Sequence, residues 1–301
     1  LNKYSPQGDT IWTRRYDNVI PAYYSGLAID SSGNIYLCGS MGKFDGEIIT
    51  VKYDSNGSLI WSRNFSNNNR KYTASSSGID VEGNFYVGGL VTTASTSGYF
   101  VLKYAPSGAL LWKAEPLIGE MSANTAGPLA VNKNGDIVIT GYTGSGGQTK
   151  MWDTNGNKKW LIFDGESPQA VTIDDSGNAY VTGLYFTSKY AVNGTVAWTE
   201  SEGGFSIAVD PEHKVYVGVA GPGPEYMYHL RKYDSDGTLD WMRTLPEEIS
   251  GFYAVKVDNC GYIYAAGLET LPSASTDKYS QTSTYRYDQT GQALWHVSFI
   301  P

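Results

Sequence analysis

Few residues of this sequence have the types and spacing that acid–base or metal chemistry requires. Its three histidines are far apart along the chain, at His213, His229 and His296. No G-x-S-x-G elbow, H-E-x-x-H pair, phosphate-binding loop or C-x-x-C pair occurs. The Asp234–Asp240 segment, DSDGTLD, places carboxylates at alternating positions as a calcium loop does, but no bidentate Glu follows it. We therefore predict no catalytic residue, no metal and no cofactor.

Composition and charge exclude several classes of partner. The 301 residues include 30 acidic and 22 basic side chains, and the resulting net charge of −8 repels nucleic acid phosphates. The longest apolar runs, such as Ile48–Val51, are far shorter than the roughly 20 residues of a membrane-spanning helix. Leu1 opens without a signal-like segment, which does not by itself indicate a cytoplasmic protein. We expect no nucleic acid partner and no membrane span.

A turn motif that occurs seven times positions most of the remaining residues. It reads KYDSNGSLIW at Lys52–Trp61, with a Gly four residues after an aromatic and four residues before a Trp. Asp, Asn, Ser and Gly favour a tight turn, and aromatics at mirrored distances can pair across two antiparallel strands. Each copy is therefore predicted to be a β-hairpin whose Trp is a structural docking residue between neighbouring units. The docking residues are Trp12, Trp61, Trp112, Trp160, Trp198, Trp241 and Trp295.

A second motif alternates with the first and occurs six times. Its first copy, GLAIDSSGNIYLCG at Gly26–Gly39, has an apolar stretch, an Asp, a tight turn and a second apolar stretch. The turn position is Gly in five copies and His213 in the sixth. Nearly continuous apolar character fits strands that are buried on both faces. We assign these strands as A and B of a four-stranded blade, and the strands of the first motif as C and D.

Together the two motifs predict an all-β fold, a β-propeller of four-stranded blades formed by residues 1–301 as a single domain. The spacing of 38 to 54 residues between turn glycines matches one blade. Six blades are predicted, with starts near residues 26, 76, 127, 169, 205 and 253. Residues 1–15 are an additional outer hairpin. It either closes the ring or forms half of a seventh blade whose inner half lies upstream of Leu1.

The paired patterns of this chain resemble the SBBP repeat family of bacterial and archaeal β-propellers. The resemblance is carried by SSGNIYLCG and KYDSNGSLIWSR and their copies, and it covers essentially the whole chain. It implies a secreted or cell-surface location and no specific activity. The D-x-x-G-x-x-x-W element is also similar, more weakly, to the docking repeat of pyrroloquinoline-quinone propellers.

Function is expected where the repeat is interrupted. The A–B and C–D turns lie on one face of each blade, here called the tight-turn face, so the longer B–C and D–A connections gather on the opposite loop face. Tyrosines among Ser, Asn and Gly favour an adaptable surface that binds a protein or a glycan. An enzyme or enzyme subunit, such as a polysaccharide lyase or hydrolase or a quinoprotein-like protein, is the alternative. The predicted ligand-binding residues are Tyr23, Tyr24, Arg70, Tyr72, Glu115, Glu120, Glu225, Tyr226, Tyr228, Glu269 and Tyr279.

Overall fold

Every regular element of the computed structural model is a β-strand within the residues that it describes, which are 1–4, 10–15, 22–41, 46–67, 69–116, 123–164, 167–219, 229–244, 249–270 and 280–299. In this part of the chain no helix has the length and apolarity of a membrane span. The strands are β1 (Asn2–Tyr4), β2 (Thr10–Thr13), β3 (Ala22–Ile29), β4 (Ile35–Met41), β5 (Glu47–Tyr53), β6 (Leu59–Phe65), β7 (Lys71–Ile79), β8 (Phe85–Thr92), β9 (Ser97–Tyr104), β10 (Leu110–Ala114), β11 (Ala123–Val131), β12 (Ile137–Thr143), β13 (Gly146–Trp152), β14 (Lys158–Phe163), β15 (Pro168–Ile173), β16 (Ala179–Gly183), β17 (Thr187–Tyr190), β18 (Val196–Glu200), β19 (Ser206–Val209), β20 (Val215–Gly218), β21 (His229–Tyr233), β22 (Leu239–Thr244), β23 (Ile249–Val257), β24 (Ile263–Thr270), β25 (Ser280–Tyr287) and β26 (Ala293–Phe299).

The strands form six four-stranded sheets, each with strands in sequence order, and one two-stranded sheet, β1–β2. Blade 1 is β3–β6, blade 2 is β7–β10, blade 3 is β11–β14, blade 4 is β15–β18, blade 5 is β19–β22 and blade 6 is β23–β26. The first strands begin at residues 22, 71, 123, 168, 206 and 249, within five residues of the predicted starts. The blades expected from the motifs are therefore the six four-stranded sheets of the structure.

The A–B turns are built around an Asp that accepts several hydrogen bonds. In blade 2 the Asp80 carboxylate accepts the backbone N–H of Asn84 at 2.9 Å, the Asn84 side chain at 2.8 Å and the Tyr86 hydroxyl at 2.8 Å. Gly83 has φ +79°, a conformation that disfavours side chains, and its N–H donates to the Asp80 carbonyl at 3.1 Å. Lys103 on strand C lies 3.8 Å from the same carboxylate. The repeated Asp and Tyr are thus explained by a buried turn network.

The C–D turns receive the docking tryptophans. The Trp61 indole N–H donates to the Pro106 carbonyl in the next blade at 3.0 Å, and Arg63 Nε donates to the Gly108 carbonyl at 3.0 Å. A Cβ added to Gly108, which has φ +82°, would lie 2.9 Å from the Trp61 ring, so the close approach requires glycine. The same indole contact to a C–D turn carbonyl is made by Trp112, Trp160, Trp198 and Trp241, at 2.9 to 3.2 Å.

The chain divides into two compact units, residues 1–145 with 151–158 and residues 146–150 with 159–301. In the first unit, blade 3 packs on blade 2 because Gly88 leaves room on strand B: a Cβ there would lie 2.5 Å from Leu129 Cδ1. In the second unit, Gly218 leaves room for Val255 of blade 6: a Cβ on Gly218 would lie 2.9 Å from Val255 Cγ2. The prediction of one domain over 1–301 stays a prediction.

Candidate functional site

A cleft of about 570 Å³ opens on the loop face of blades 1 and 2. It is built from the D–A connection between these blades and from the B–C turn of blade 2, two of the segments that interrupt the repeat. We call it the Arg70 cleft. Its lining residues are Gly46, Ser66, Asn67, Asn69, Arg70, Lys71, Thr92, Thr93 and Ala94.

Local turn chemistry shapes this cleft. Arg70 N–H donates to the Asn67 carbonyl at 3.1 Å, and Asn69 takes φ +70°, a left-handed conformation that asparagine tolerates. Across the cleft, Thr93 Oγ1 accepts the backbone N–H of Thr96 at 3.0 Å and closes the B–C turn. Gly46 has φ +73°, and a Cβ there would lie 2.6 Å from Lys71 Cα. The walls of the cleft are therefore formed by short turns, and hydrogen bonds within these turns hold their backbone in place.

A single carboxylate below the cleft holds its basic side chain in place. Arg70 Nη1 donates to Glu115 Oε2 at 2.9 Å, and Lys113 Nζ lies 3.2 Å from Glu115 Oε1. The Tyr72 hydroxyl donates a short hydrogen bond to the same oxygen, Oε1. Burial and then the hydrogen bond to Glu115 raise the pKa of Tyr72 above its usual value, so Tyr72 remains a neutral donor. Because the Glu115 side chain is only 14% exposed, its charge is directed toward these partners.

The structure brings together three of the predicted ligand-binding residues, Arg70, Tyr72 and Glu115. Only Arg70 lines the cleft, with its side chain 33% exposed. Tyr72 is fully buried and acts beneath the surface through Glu115. Tyr72 was predicted to contact a ligand because it is an aromatic residue in an irregular loop, but its burial does not allow direct contact at the surface.

The other predicted residues lie elsewhere or outside the described part of the chain. Tyr24 is 41% exposed on β3, opposite Gly39 of β4. Tyr23 pairs in register with Ser40 and Glu269 with Gln281. The positions outside the described residues are Glu120, Glu225, Tyr226, Tyr228 and Tyr279.

Sequence reasoning missed the polar residues of the cleft. The cleft residues Lys71, Asn67, Asn69 and Thr93 lie in connections that interrupt the repeat. The sequence-based prediction selected tyrosines and charged residues in such connections and did not include these four. The signal that could have found them is the run of Asn, Arg and Lys in SNNNRK, which has no counterpart in the other D–A connections. Its positive charge stands out in a chain of net charge −8.

A second cavity of about 190 Å³ lies on the tight-turn face of blades 4 to 6. His213 occupies a turn position that is glycine in the other copies, with φ +63°, and its Nδ1 lies 2.9 Å from Asp174 Oδ2. Burial raises the pKa of Asp174, but hydrogen bonds from Asn178 and Tyr180 and the nearby His213 outweigh burial, so the pKa is lowered overall. No cluster of three or more His, Cys, Asp or Glu among the described residues could hold a metal ion.

A buried carboxylate also lies at the end of strand D in blade 3. Asp164 accepts short hydrogen bonds from the hydroxyls of Thr149 and Tyr190. Burial raises the pKa of Asp164, and these two hydrogen bonds oppose the shift only in part. Asp164 is enclosed by its partners, so the Arg70 cleft remains the better candidate for ligand contact.

Comparison with known proteins supports the fold and leaves the family open. No protein-family model matches the sequence. No curated protein matches it either. Among solved structures, virginiamycin B lyase from Staphylococcus aureus has a TM-score of 0.61 at 9% identity and covers 92% of this chain and 84% of its own. Sqt1 of Saccharomyces cerevisiae has a TM-score of 0.59 at 10% identity, covering 90% of this chain and 72% of its own.

A third similar structure is the WD40 domain of SCAP from fission yeast. Its TM-score is 0.53 at 13% identity, and the match covers 92% of this chain and 76% of that domain. At such identities the likeness shows the fold alone. Together with the six four-stranded antiparallel sheets, it confirms that the chain is an all-β protein with a β-propeller fold.

Proposed function

We propose that this protein is a binding scaffold for a protein partner, and that the Arg70 cleft receives an acidic segment of that partner. The observation that carries the proposal is the pairing of Arg70 with Glu115 beneath a polar cleft, with the exposed Lys71 beside it. Glu115 orients the guanidinium, and Lys71 adds a positive charge at the surface. A carboxylate ligand is the chemical complement of this arrangement.

The lining of the cleft favours a peptide over a sugar. None of its described lining residues is aromatic, so a sugar ring has no exposed aromatic face to pack against. Ser66, Asn67, Asn69 and Thr93 offer hydrogen-bonding side chains suited to an extended backbone. The fold similarity to WD40 domains is compatible with a scaffold role and supplies no partner. Glycan binding is an outcome of the test below.

The test measures binding of labelled peptides to the whole chain. The probes are an Asp/Glu-rich peptide, a neutral peptide of equal length and a Lys-rich peptide. We expect the acidic peptide to bind, and its binding to weaken as salt rises, because exposed charges are screened over about 8 Å at 0.15 M ionic strength.

A charge-reversal variant locates the binding. Lys71→Glu should weaken binding of the acidic peptide by about tenfold or more, whereas Lys256→Glu, the same change at an exposed position on β23, should not. Neither change removes a core contact. Equal binding of all three peptides, or capture of a glycan that Lys71→Glu leaves unchanged, would rule out the proposal.

We also propose that the protein is exported to the cell surface or secreted. The support is the likeness of its repeats to those of the SBBP family, such as SSGNIYLCG with KYDSNGSLIWSR. Fractionation of the native source, with an antibody against this chain, tests the location. Recovery of the chain with cytoplasmic markers alone would contradict it.

A further inference from the structure

The hairpin β1–β2 packs against the C–D turn of blade 1, the position at which each blade contacts the docking tryptophan of the blade before it. Lys3 Nζ donates to the Ser55 carbonyl at 2.8 Å, and Arg14 Nε donates to the Gly57 carbonyl at 2.7 Å. A Cβ on Gly57 would lie 3.1 Å from the Trp12 ring. Blade 1 makes the same lysine and arginine contacts to the C–D turn of blade 2, and its Trp61 ring likewise packs on the turn glycine, Gly108. The Trp61 indole N–H also donates to the Pro106 carbonyl, whereas the buried Trp12 indole N–H has no hydrogen-bond partner among the described residues. The hairpin therefore stands where strands C and D of a preceding blade would stand.

This packing has a structural consequence for blade 1. Because the Trp12 ring packs on Gly57, no other docking tryptophan of the chain can pack there. A blade that preceded blade 1 would therefore have β1–β2 as its outer half. In every other blade the C and D strands continue a sheet that contains strands A and B, whereas β1–β2 is a two-stranded sheet among the described strands.

The inner half of blade 1 is correspondingly uncovered. Leu27 and Ile29 on strand A are 53% and 57% exposed. The apolar residues aligned with Leu27 in blades 3 and 6 are buried: Leu129 is 6% exposed and Val255 is 2% exposed. Leu129 is covered by strands of blade 2, at the position where Gly88 admits it. Strand A of blade 1 thus exposes Leu27, whose counterparts in blades 3 and 6 are buried, and beside it Ile29, whose counterparts Val131 and Val257 are partly buried.

We propose that β1 together with Leu27 and Ile29 forms a docking site for a two-stranded β-hairpin of the A–B repeat type. This hairpin would pair with β1, cover strand A of blade 1 and complete a seventh blade. The interface would continue the one that blades 1 and 2 already make. The proposal does not depend on the function proposed for the Arg70 cleft.

The repeat specifies the chemistry of the occupant. In blade 1, Lys52 Nζ lies 3.8 Å from the Asp30 carboxylate and 4.7 Å from the centroid of the Tyr36 ring. Lys3 is the equivalent lysine of β1, so the occupant must bring an Asp in its turn and a Tyr six residues later. It must also carry a small residue where blade 2 has Gly88, because Leu27 needs the space that Leu129 has there.

A peptide from the chain itself meets these conditions and is the probe. Residues 74–89, ASSSGIDVEGNFYVGG, come from the A–B pair of blade 2 and carry Asp80, Tyr86 and Gly88. We expect the fluorescent peptide to bind the whole chain saturably, measured by anisotropy. A peptide with Asp80→Ala and Tyr86→Ala is the control and should bind about tenfold or more weakly.

Matched variants of the protein locate the peptide. Leu27→Glu should weaken binding by about tenfold or more, while Leu59→Glu on the exposed outer strand of blade 1 should leave it unchanged. Both leucines are about half exposed, at 53% and 51%, so both variants are expected to fold. Lys71→Glu should also leave this binding unchanged, which separates the two proposals.

A fusion of the peptide to the chain makes the test independent of how weakly the free peptide binds. The same 16 residues joined to Leu1 through a flexible linker act at an effective concentration of about millimolar. We expect the thermal midpoint of the fusion to rise by at least about 2 °C relative to a fusion of the control peptide. Absence of both peptide binding and this rise would overturn the proposal. Self-association of the chain that Leu27→Glu abolishes would also overturn it, since a second copy would then be the occupant.

Discussion

The two faces of the blades differ in how their polar groups are satisfied. On the tight-turn face the same contact recurs, an indole N–H donated to a turn carbonyl of the next blade, as Trp61 and Trp112 show. On the loop face, acids near the ends of strands D in blades 2, 3 and 4 have different partners. Glu115 contacts Arg70 and Tyr72, Asp164 contacts Thr149 and Tyr190, and Glu202 contacts Arg231.

This difference separates scaffold from candidate site. The indole contact recurs for Trp61, Trp112, Trp160, Trp198 and Trp241, and it uses its donors and acceptors within the fold. The acids of the loop face have a different partner in each of the three blades described, so each creates a local surface that differs from its neighbours. The Arg70 cleft is the place where such a surface is open, since Arg70 is one-third exposed and Glu115 is not.

The largest effect is expected on the tight-turn face. Trp61→Ala should destabilise the first unit by about 3–5 kcal/mol, because the ring is 6% exposed and contacts Gly108. Trp295→Ala should lower the free energy of unfolding clearly less than Trp61→Ala does, because the Trp295 ring is 41% exposed. Urea denaturation of each variant beside the parent chain measures both. Equal losses would show that the docking contact is not the source of the stability.

A smaller effect is expected on the loop face. Glu115→Ala should cost about 1–3 kcal/mol, because it leaves the buried Tyr72 hydroxyl without its acceptor. Glu115→Gln keeps an acceptor for Tyr72 and should cost less. Both variants lose the charge that orients Arg70, so both should weaken acidic-peptide binding. Unchanged peptide binding in both variants would separate Glu115 from recognition.

The smallest expected effect is on the pH dependence of stability, because the pKa values of Asp174 and Asp164 are shifted in opposite directions. The lowered pKa of Asp174 means that its contribution to the free energy of unfolding is present above the ordinary value of 3.8 and is lost as pH falls through the folded-state pKa. The raised pKa of Asp164 has the opposite consequence, a contribution that is lost as pH rises from 3.8 through its folded-state pKa.

Two Asn variants test these signs by denaturation at several pH values. The destabilisation caused by Asp174→Asn should shrink on acidification. The destabilisation caused by Asp164→Asn should shrink as pH rises. Parallel pH profiles for the two variants would contradict the different environments described for the two faces.

Most of the fold was predictable from local patterns. Gly and Trp four residues apart specify a hairpin and its docking ring, and the Asp-to-Tyr spacing of six specifies the A–B turn. The candidate site was predictable only as a set of segments. Tyr72 was expected at the surface because it lies in an irregular connection, yet it is buried against Glu115. Loop composition does not reveal which side chain of a segment points inward.

By itself, the sequence determined the β-strands, the tight turns, the number of four-stranded sheets and the acidic net charge, because each depends on residues a few positions apart or on composition. Only the tertiary structure decided that Arg70 meets Glu115, 45 residues away, and that Leu27 remains exposed where Leu129 is buried. Those outcomes depend on which strands pack beside one another. Long-range packing of this kind has no signature in the spacing of residues along a single chain.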